Sequence, residues 1–207
     1  MLNSALCSLA IVSLVCSDVA LGQLSPPTVI KGTGPSGDVH SMTNNQNSLA
    51  TMANGEVAAL VYRQTSSTSG GHLTLAWSKD GMAWNDYYPL PNNTGHRMHE
   101  WNSGIMCAGR ECDILHVGWA DRSVGGTYHS VYYQTFSVTT RQWVGTPTRI
   151  ATADAAKQQG VFSRDIAVTP RGTVVIAVGV GANGGQGMGA WDCGLLVKKA
   201  GSSTFSK

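Results

Sequence analysis

The sequence predicts an all-β protein, a partial β-propeller made of repeated four-stranded antiparallel sheets. Two observations predict this fold. A strand–turn–strand pattern recurs three times along the chain, and an aromatic residue follows the third strand of each copy. These aromatic residues, Trp84, Trp143 and Phe205, stand 59 and 62 residues apart. The chain also holds 25 Gly among 207 residues, which suits many short strands joined by tight turns.

Each copy begins with two β-rich runs on either side of a Gly-bearing turn, which is the usual hairpin signal. The hairpins cover residues 49–61, 105–117 and 166–178. A Gly/Ser-rich stretch then leads into a third strand, at residues 72–77, 130–136 and 195–198. A fourth strand is predicted at residues 86–90 and 144–150, whereas the third copy stops before one.

A four-stranded meander cannot bury both of its faces alone, and radial stacking of such sheets solves this problem. We therefore expect about three blades, at about residues 40–90, 99–150 and 161–207. Because closure takes four to eight blades, the chain is expected to be an N-terminal fragment of a propeller, six-bladed when complete. Closure by self-association is the alternative. A β-sandwich is the alternative fold, but it does not require the same turn aromatic three times.

The first 22 residues are predicted to be a signal peptide. Residues 9–16 form an apolar run that is too short to span a bilayer, and Ala20-Leu21-Gly22 provides a small-residue cleavage site. The domain proper then covers residues 23–207, and we expect it to be secreted, extracellular or periplasmic. A lipid anchor on Cys16 is the alternative. No other apolar run is long enough for a membrane span.

Composition argues against several partners. The net charge is +2 and 13% of residues are charged, without a basic patch, so nucleic acid is not an expected partner.

The G-x-G-x-x-G match at residues 179–184 lacks the helix that a dinucleotide site requires. The His96–Glu100 segment superficially matches zinc motifs, but those motifs are helical and this segment lies between strands. We therefore expect no cofactor and no metal.

Cysteine usage fits an oxidising compartment. Cys107 and Cys112 flank a plausible hairpin loop that would hold them opposite each other, so a disulfide is predicted between them. Cys193 then has no mate, and its partner is expected on another chain or beyond the end of this one.

The segment Ser78-Lys79-Asp80-Gly81-Met82-Ala83-Trp84 resembles the Asp-box of the bacterial neuraminidase repeat, S-x-D-G-x-x-W, found in sialidase-superfamily propellers. In that family the box is a turn between the third and fourth strands, in which the Asp side chain caps turn amides and the Trp packs beneath. Residues 137–143 keep the Ser and the Trp but carry Thr139 in place of Asp. Residues 199–205 keep the aromatic residue alone.

This resemblance implies a carbohydrate-active protein: a sialidase or other exo-glycosidase acting on sialylated or other acidic glycans. The alternatives are a lectin-like glycan-binding propeller and a structural interaction module. Sialidases hold the substrate carboxylate with an arginine triad, whose first member lies in an F/Y-R-I-P motif. That motif is not found here. The nearest match is Phe162-Ser163-Arg164-Asp165-Ile166, in which Arg164 falls two positions later than the family's arginine.

In a propeller the loops that lead into the first strands converge on one central face, where ligands bind. The densest polar and aromatic cluster in these loops precedes the second hairpin and suits sugar rings, which offer C–H faces and hydroxyls. Glu100 and Asp165 are predicted as a carboxylate pair for glycoside hydrolysis, and Arg164 is placed to grip an acidic sugar. The alternative is that these groups cap loops and join blades. The predicted substrate-binding residues are Arg164, His99, Trp101, Asn102, Asn47 and Arg63.

Overall fold

The computed structural model describes residues 39–42, 48–63, 72–91, 105–108, 113–122, 129–152, 154, 159–182 and 191–207. These residues form twelve β-strands, and none of them is helical. The strands are β1 (Val39–Met42), β2 (Leu49–Thr51), β3 (Val57–Arg63), β4 (His72–Ser78), β5 (Trp84–Pro89), β6 (Ile105–Ala108), β7 (Ile114–Arg122), β8 (His129–Ser137), β9 (Gln142–Ala151), β10 (Gln159–Val168), β11 (Val174–Ala182) and β12 (Trp191–Lys198).

The strands form three open antiparallel sheets in chain order, so the predicted all-β fold is confirmed. The first sheet contains β1 to β5, the second runs β6-β7-β8-β9, and the third runs β10-β11-β12. Neighbouring strands pair antiparallel throughout. All of the strands expected in the three copies are present, and each begins within seven residues of its predicted start.

In the first sheet, two short strands, β1 and β2, share the edge next to β3. β1 and β2 both pair with β3, with Met42 opposite Val61 and Leu49 opposite Ala59. In the third sheet, β10 alone pairs with the whole of β11. The sequence did not predict β1, which covers Val39–Met42. Four residues with two polar members are too few to give a periodic strand signal.

The first hairpin of the first sheet and that of the third sheet close through the same kind of turn. Gly55 donates its N–H to the Met52 carbonyl at 2.9 Å, and Gly172 donates to the Thr169 carbonyl at 2.8 Å. Both glycines have positive φ, 84° and 81°, which side chains disfavour. The turns therefore place Val57 and Val174 at equivalent starts of β3 and β11.

The core lies between neighbouring sheets. One cluster joins the first and second sheets through residues such as Leu60, Trp77 and Phe136, and another joins the second and third through Tyr133 and Ile176. The first strands of neighbouring sheets also touch: β2 contacts β6, and β6 contacts β10. Sheets that pack face to face with their first strands adjacent are consistent with a propeller-like fold.

Two of the three turn aromatics, Trp143 and Phe205, link their sheet to the one before it. Trp143 donates its Nε1–H to the Pro89 carbonyl of the first sheet at 2.9 Å. Phe205 packs edge-on against Tyr133 of the second sheet, with ring centroids 5.0 Å apart. Trp84 packs against the small cluster of Ala59, Val61 and Ala76 in the first sheet. The spacing seen in the sequence thus has a packing function.

Candidate functional site

The turn between β4 and β5 has the geometry expected of an Asp-box. The Asp80 Oδ1 accepts hydrogen bonds from the backbone N–H of Met82 at 2.8 Å and of Ala83 at 2.9 Å. The Ser78 hydroxyl donates to the same oxygen at 3.1 Å. Gly81 has a φ of 74°, which suits glycine. These bonds, those from Ala83 and Met82 foremost, lower the pKa of Asp80 below its ordinary 3.8, so the side chain stays a carboxylate.

The equivalent turns in the other sheets depart from this pattern. In the second sheet Ser137 pairs with Gln142, whereas Ser78 pairs with Trp84, so the second turn is one residue shorter. In the third sheet Lys198 pairs with Val174 as Ser78 pairs with Val57. That register aligns Gly201, with a φ of 77°, with Gly81 of the first turn. The third box is therefore shifted by one residue from the alignment based on the aromatics.

Replacing Asp80 by alanine should lower the free energy of unfolding, because two backbone N–H groups of the turn lose their acceptor. The effect should be smaller than that of removing a buried ring, since the turn is exposed. Asp80→Asn keeps an acceptor oxygen and should restore most of the loss. Urea unfolding above pH 5 measures both variants. The Asp80 contribution should disappear as the pH falls through its lowered pKa. Equal stability of D80A and the native chain would contradict a structural role.

Two predicted site residues lie side by side in β10. Ser163 is opposite Val178 and Asp165 is opposite Ala177, so Arg164 is the extra residue of a β-bulge. The side chains of Arg164 and Asp165 are exposed. The Asp165 Oδ1 accepts a hydrogen bond from the N–H of Ile166 at 2.7 Å. Bulges occur often beside active sites, where they redirect side chains. Here the bulge lies in β10, the first strand of the third sheet, and carries both charged residues.

The remaining predicted ligand-face residues are less informative. Arg63 is the last residue of β3, opposite Val39 of β1 and His72 of β4. Cys107 lies in β6, opposite His116. The predicted carboxylate pair and the predicted disulfide thus stay predictions. The following predicted residues lie outside the described ranges: Asn47, His99, Glu100, Trp101, Asn102 and Cys112.

A charged cluster at the junction of the first two sheets was not predicted. The Arg141 Nη2 lies 2.5 Å from the Glu56 Oε2, and its guanidinium carbon lies 3.7 Å from the centre of the Trp77 ring. Asn54 also donates to Glu56 at 2.9 Å. The Asn54 bond and then Arg141 lower the pKa of Glu56. The sequence held no signal for this cluster, because Arg141 and Glu56 are 85 residues apart.

A polar pair, partly buried His116 and buried Tyr133, lies where the second sheet meets the third. The His116 Nδ1 is 2.6 Å from the Tyr133 hydroxyl. Burial, and secondarily the charge of Lys198, lower the pKa of His116 to about 4. Burial also raises the pKa of Tyr133. Both side chains are therefore neutral at pH 7, and the hydroxyl can donate to the unprotonated ring nitrogen.

Two further kinds of feature are absent from the described ranges. Across them, three or more His, Cys, Asp or Glu side chains do not come together in a group that could hold a metal ion. Nor do those ranges include a helix with the length and hydropathy that crossing a membrane requires. Cys193 is a free, exposed thiol on β12.

Comparison with known proteins finds similarity at the level of structure. The fold matches that of "Hadza microbial sialidase Hz136" with a TM-score of 0.52 at 14% sequence identity. The match covers 80% of this chain and 37% of the sialidase, so the chain spans little more than a third of that protein's length. No protein-family model and no curated protein matches the sequence. At this identity the match shows the fold alone: the chain has a sialidase-like β-fold.

Proposed function

We propose that this protein is a secreted, carbohydrate-active member of the sialidase-like group that binds acidic glycans through the β10 bulge. The observation that carries the proposal is the exposed position of Arg164 at the bulge of β10. The sialidase-like fold supports a glycan ligand, and the predicted signal peptide supports secretion.

The chemistry follows from the guanidinium group. Its planar N–H groups can form two parallel, charge-assisted hydrogen bonds with one carboxylate, the group that distinguishes sialic and uronic acids from neutral sugars. Asp165 beside it accepts hydrogen bonds, and sugar hydroxyls are suitable donors. Arg164 would thus select the acidic sugar and Asp165 would orient its hydroxyls.

Whether hydrolysis accompanies binding depends on a second carboxylate. Glu100 is the proposed partner of Asp165, since glycosidases use two carboxyl groups on either side of the scissile bond. A lectin with the same arginine and no acidic pair is the second candidate function. The exposed position of Asp165 favours the lectin, because an exposed carboxylate is available to accept hydrogen bonds from sugar hydroxyls.

Replacing Arg164 by alanine should weaken binding of 3′-sialyllactose about 10- to 100-fold, the expected loss of a charge-assisted pair. Binding of neutral lactose should change little. Calorimetric titration of the purified chain measures both ligands. Arg171→Ala is the matched control, because Arg171 is exposed in the turn that follows the same strand. Equal affinity of R164A and R171A for sialyllactose would refute the proposal.

Hydrolysis of a fluorogenic sialoside distinguishes the enzyme from the lectin. If the protein is the enzyme, Glu100→Gln should abolish this hydrolysis.

A further inference from the structure

The outer edge of β12 carries backbone groups that are unpaired among the described residues. On its inner edge β12 pairs with β11 over its whole length. On its outer edge, within the described ranges, it pairs at Val197 alone, which exchanges hydrogen bonds of 2.8 and 2.9 Å with Ser206. The third strands of the other two sheets, β4 and β8, pair on this edge with β5 and β9. The third sheet thus has an open edge where the other two have a strand.

The pairing at Val197 shows which residues direct their backbone groups outward. The N–H and C=O of one residue in a strand point to the same side, and successive residues alternate between the two sides. Because Val197 points outward, Leu195, Cys193 and Trp191 do so as well, since the register of β12 is unbroken. The open edge therefore runs from Trp191 to Leu195, and Cys193 is its midpoint.

A second copy of the same strand fits this edge. A two-fold axis through Cys193 pairs two β12 strands antiparallel, with Cys193 opposite itself and Leu195 opposite Trp191. All three outward residues then form hydrogen-bonded pairs, with about six backbone hydrogen bonds in total. Moving the axis by one residue in either direction loses one of these pairs. In one direction Val197 is already paired with Ser206, and in the other the strand has ended at Trp191.

The side chains of the open edge permit this pairing. Edges that stay unpaired are commonly protected by several charges, a proline or a bulge. Between Trp191 and Leu195, Asp192 is the one charged residue, and there is no proline and no bulge. The axis through Cys193 places Asp192 opposite Gly194, so two like charges do not face each other directly. The Leu195 side chain is 58% exposed and the Cys193 thiol is exposed and free.

We propose that the open edge of β12 pairs with the same edge of a second copy of this chain, which joins two third sheets into one six-stranded sheet. The pairing is made by the backbone and forms without a covalent bond. This interaction does not depend on the acidic-glycan proposal, because the β10 bulge lies on the opposite edge strand of the sheet.

The two-fold axis also brings two thiols together. Residues of a hydrogen-bonded antiparallel pair have Cα atoms about 5.5 Å apart, within the range of a disulfide. With oxidised glutathione as the oxidant, the two Cys193 thiols form one S–S bond. Their two electrons and two protons pass to the glutathione disulfide, which leaves as two molecules of reduced glutathione.

Sedimentation equilibrium of the purified full chain tests the backbone pairing, with Cys193→Ser as the background so that this thiol plays no part. This variant should show a monomer–dimer equilibrium. Adding Leu195→Pro removes an outward N–H and should weaken the dimer at least tenfold, whereas pairing with β11 persists because that N–H does not face β11. The matched control is Leu195→Ala, which loses the same side chain but keeps the N–H and should dimerise like the background.

Disulfide trapping tests the register. Oxidised glutathione should convert the native chain into a covalent dimer on a non-reducing gel, and Cys193→Ser should prevent this. The double variant Cys193→Ser with Leu195→Cys places the thiol on the same face of the same strand. Its two thiols would stand four residues apart along the ladder, about 13 Å, which is too far for a disulfide. This variant should stay uncoupled.

Three outcomes would overturn the proposal. The Cys193→Ser variant could sediment as a monomer at every concentration, which would exclude backbone pairing. The Leu195→Pro variant could dimerise as tightly as Leu195→Ala, which would place the contact elsewhere. The displaced thiol could cross-link as readily as Cys193, which would show random collision in place of a defined two-fold axis. None of these results bears on glycan binding at the β10 bulge.

Discussion

The variant Phe136→Ala should lose about 4 kcal/mol of folding free energy, the loss expected when a fully buried aromatic ring is removed. Phe136 has no solvent exposure. Its ring centroid lies 5.0 Å from that of Tyr88 and 5.9 Å from that of Trp77, both in the first sheet. It also meets Trp143 edge-on at 5.1 Å. The substitution removes the centre of the contact between two sheets, which leaves a cavity lined by three rings.

Urea denaturation followed by tryptophan fluorescence measures this loss. Leu195→Ala is the control for truncation of an apolar side chain, because Leu195 is 58% exposed and should cost no more than about 0.5 kcal/mol. A loss below about 1 kcal/mol for F136A would show that the two sheets do not pack through this ring. An unchanged denaturant slope in both variants would show that the folded states remain equally compact.

Acidification from pH 7.5 to pH 4.5 should cost about 2 kcal/mol of stability through His116 alone, after allowance for solvent screening. The pKa of His116 is about 4 in the folded chain and its ordinary value is 6.5. Between these values the unfolded chain binds the proton and the folded chain does not. Stability is therefore complete above pH 6.5 and falls as the pH drops towards 4. Burial is the main cause, Lys198 adds to it, and Asp113 opposes it.

His116→Gln isolates this contribution, because glutamine keeps a polar group and does not titrate. The difference in unfolding free energy between the native chain and H116Q should shrink as the pH falls, by the same 2 kcal/mol. Tyr133→Phe removes the hydroxyl that lies 2.6 Å from the ring nitrogen and should leave the pH dependence largely intact. A pH profile of H116Q parallel to that of the native chain would show that His116 is not buried against the third sheet.

Much of the fold could be predicted because its signals are local. β-rich runs on either side of Gly-bearing turns predict the paired strands β2 and β3 or β10 and β11 without reference to distant residues. β1 could not be predicted, because its four residues are held by pairing with β3 rather than by their own pattern. The third turn was misaligned by one residue because its aromatic is a better sequence marker than the positive φ of Gly201.

The candidate sites depended more on geometry. The Asp-box was predictable from one turn, since its acceptor and both backbone donors lie within four residues. Arg164 was predictable as a candidate from its neighbours in the sequence, but the bulge that exposes it depends on pairing with Val178 and Ala177. The contact of Arg141 with Glu56 brings together segments far apart in the chain. Such sites require the packing of whole sheets, which no local pattern encodes.

The interruption between β1 and β2 and the bulge at Arg164 occur at the same position of equivalent strands. Val61 and Val178 each stand four residues after the first residue of β3 and β11, and their partners are Met42 and Ser163, the last residues before each irregularity. One extra residue is inserted there in the third sheet, and residues 43–47 are inserted there in the first. This point therefore tolerates added chain length without a change of register on either side. An engineer who wishes to graft a recognition loop onto this scaffold should insert it after Ser163.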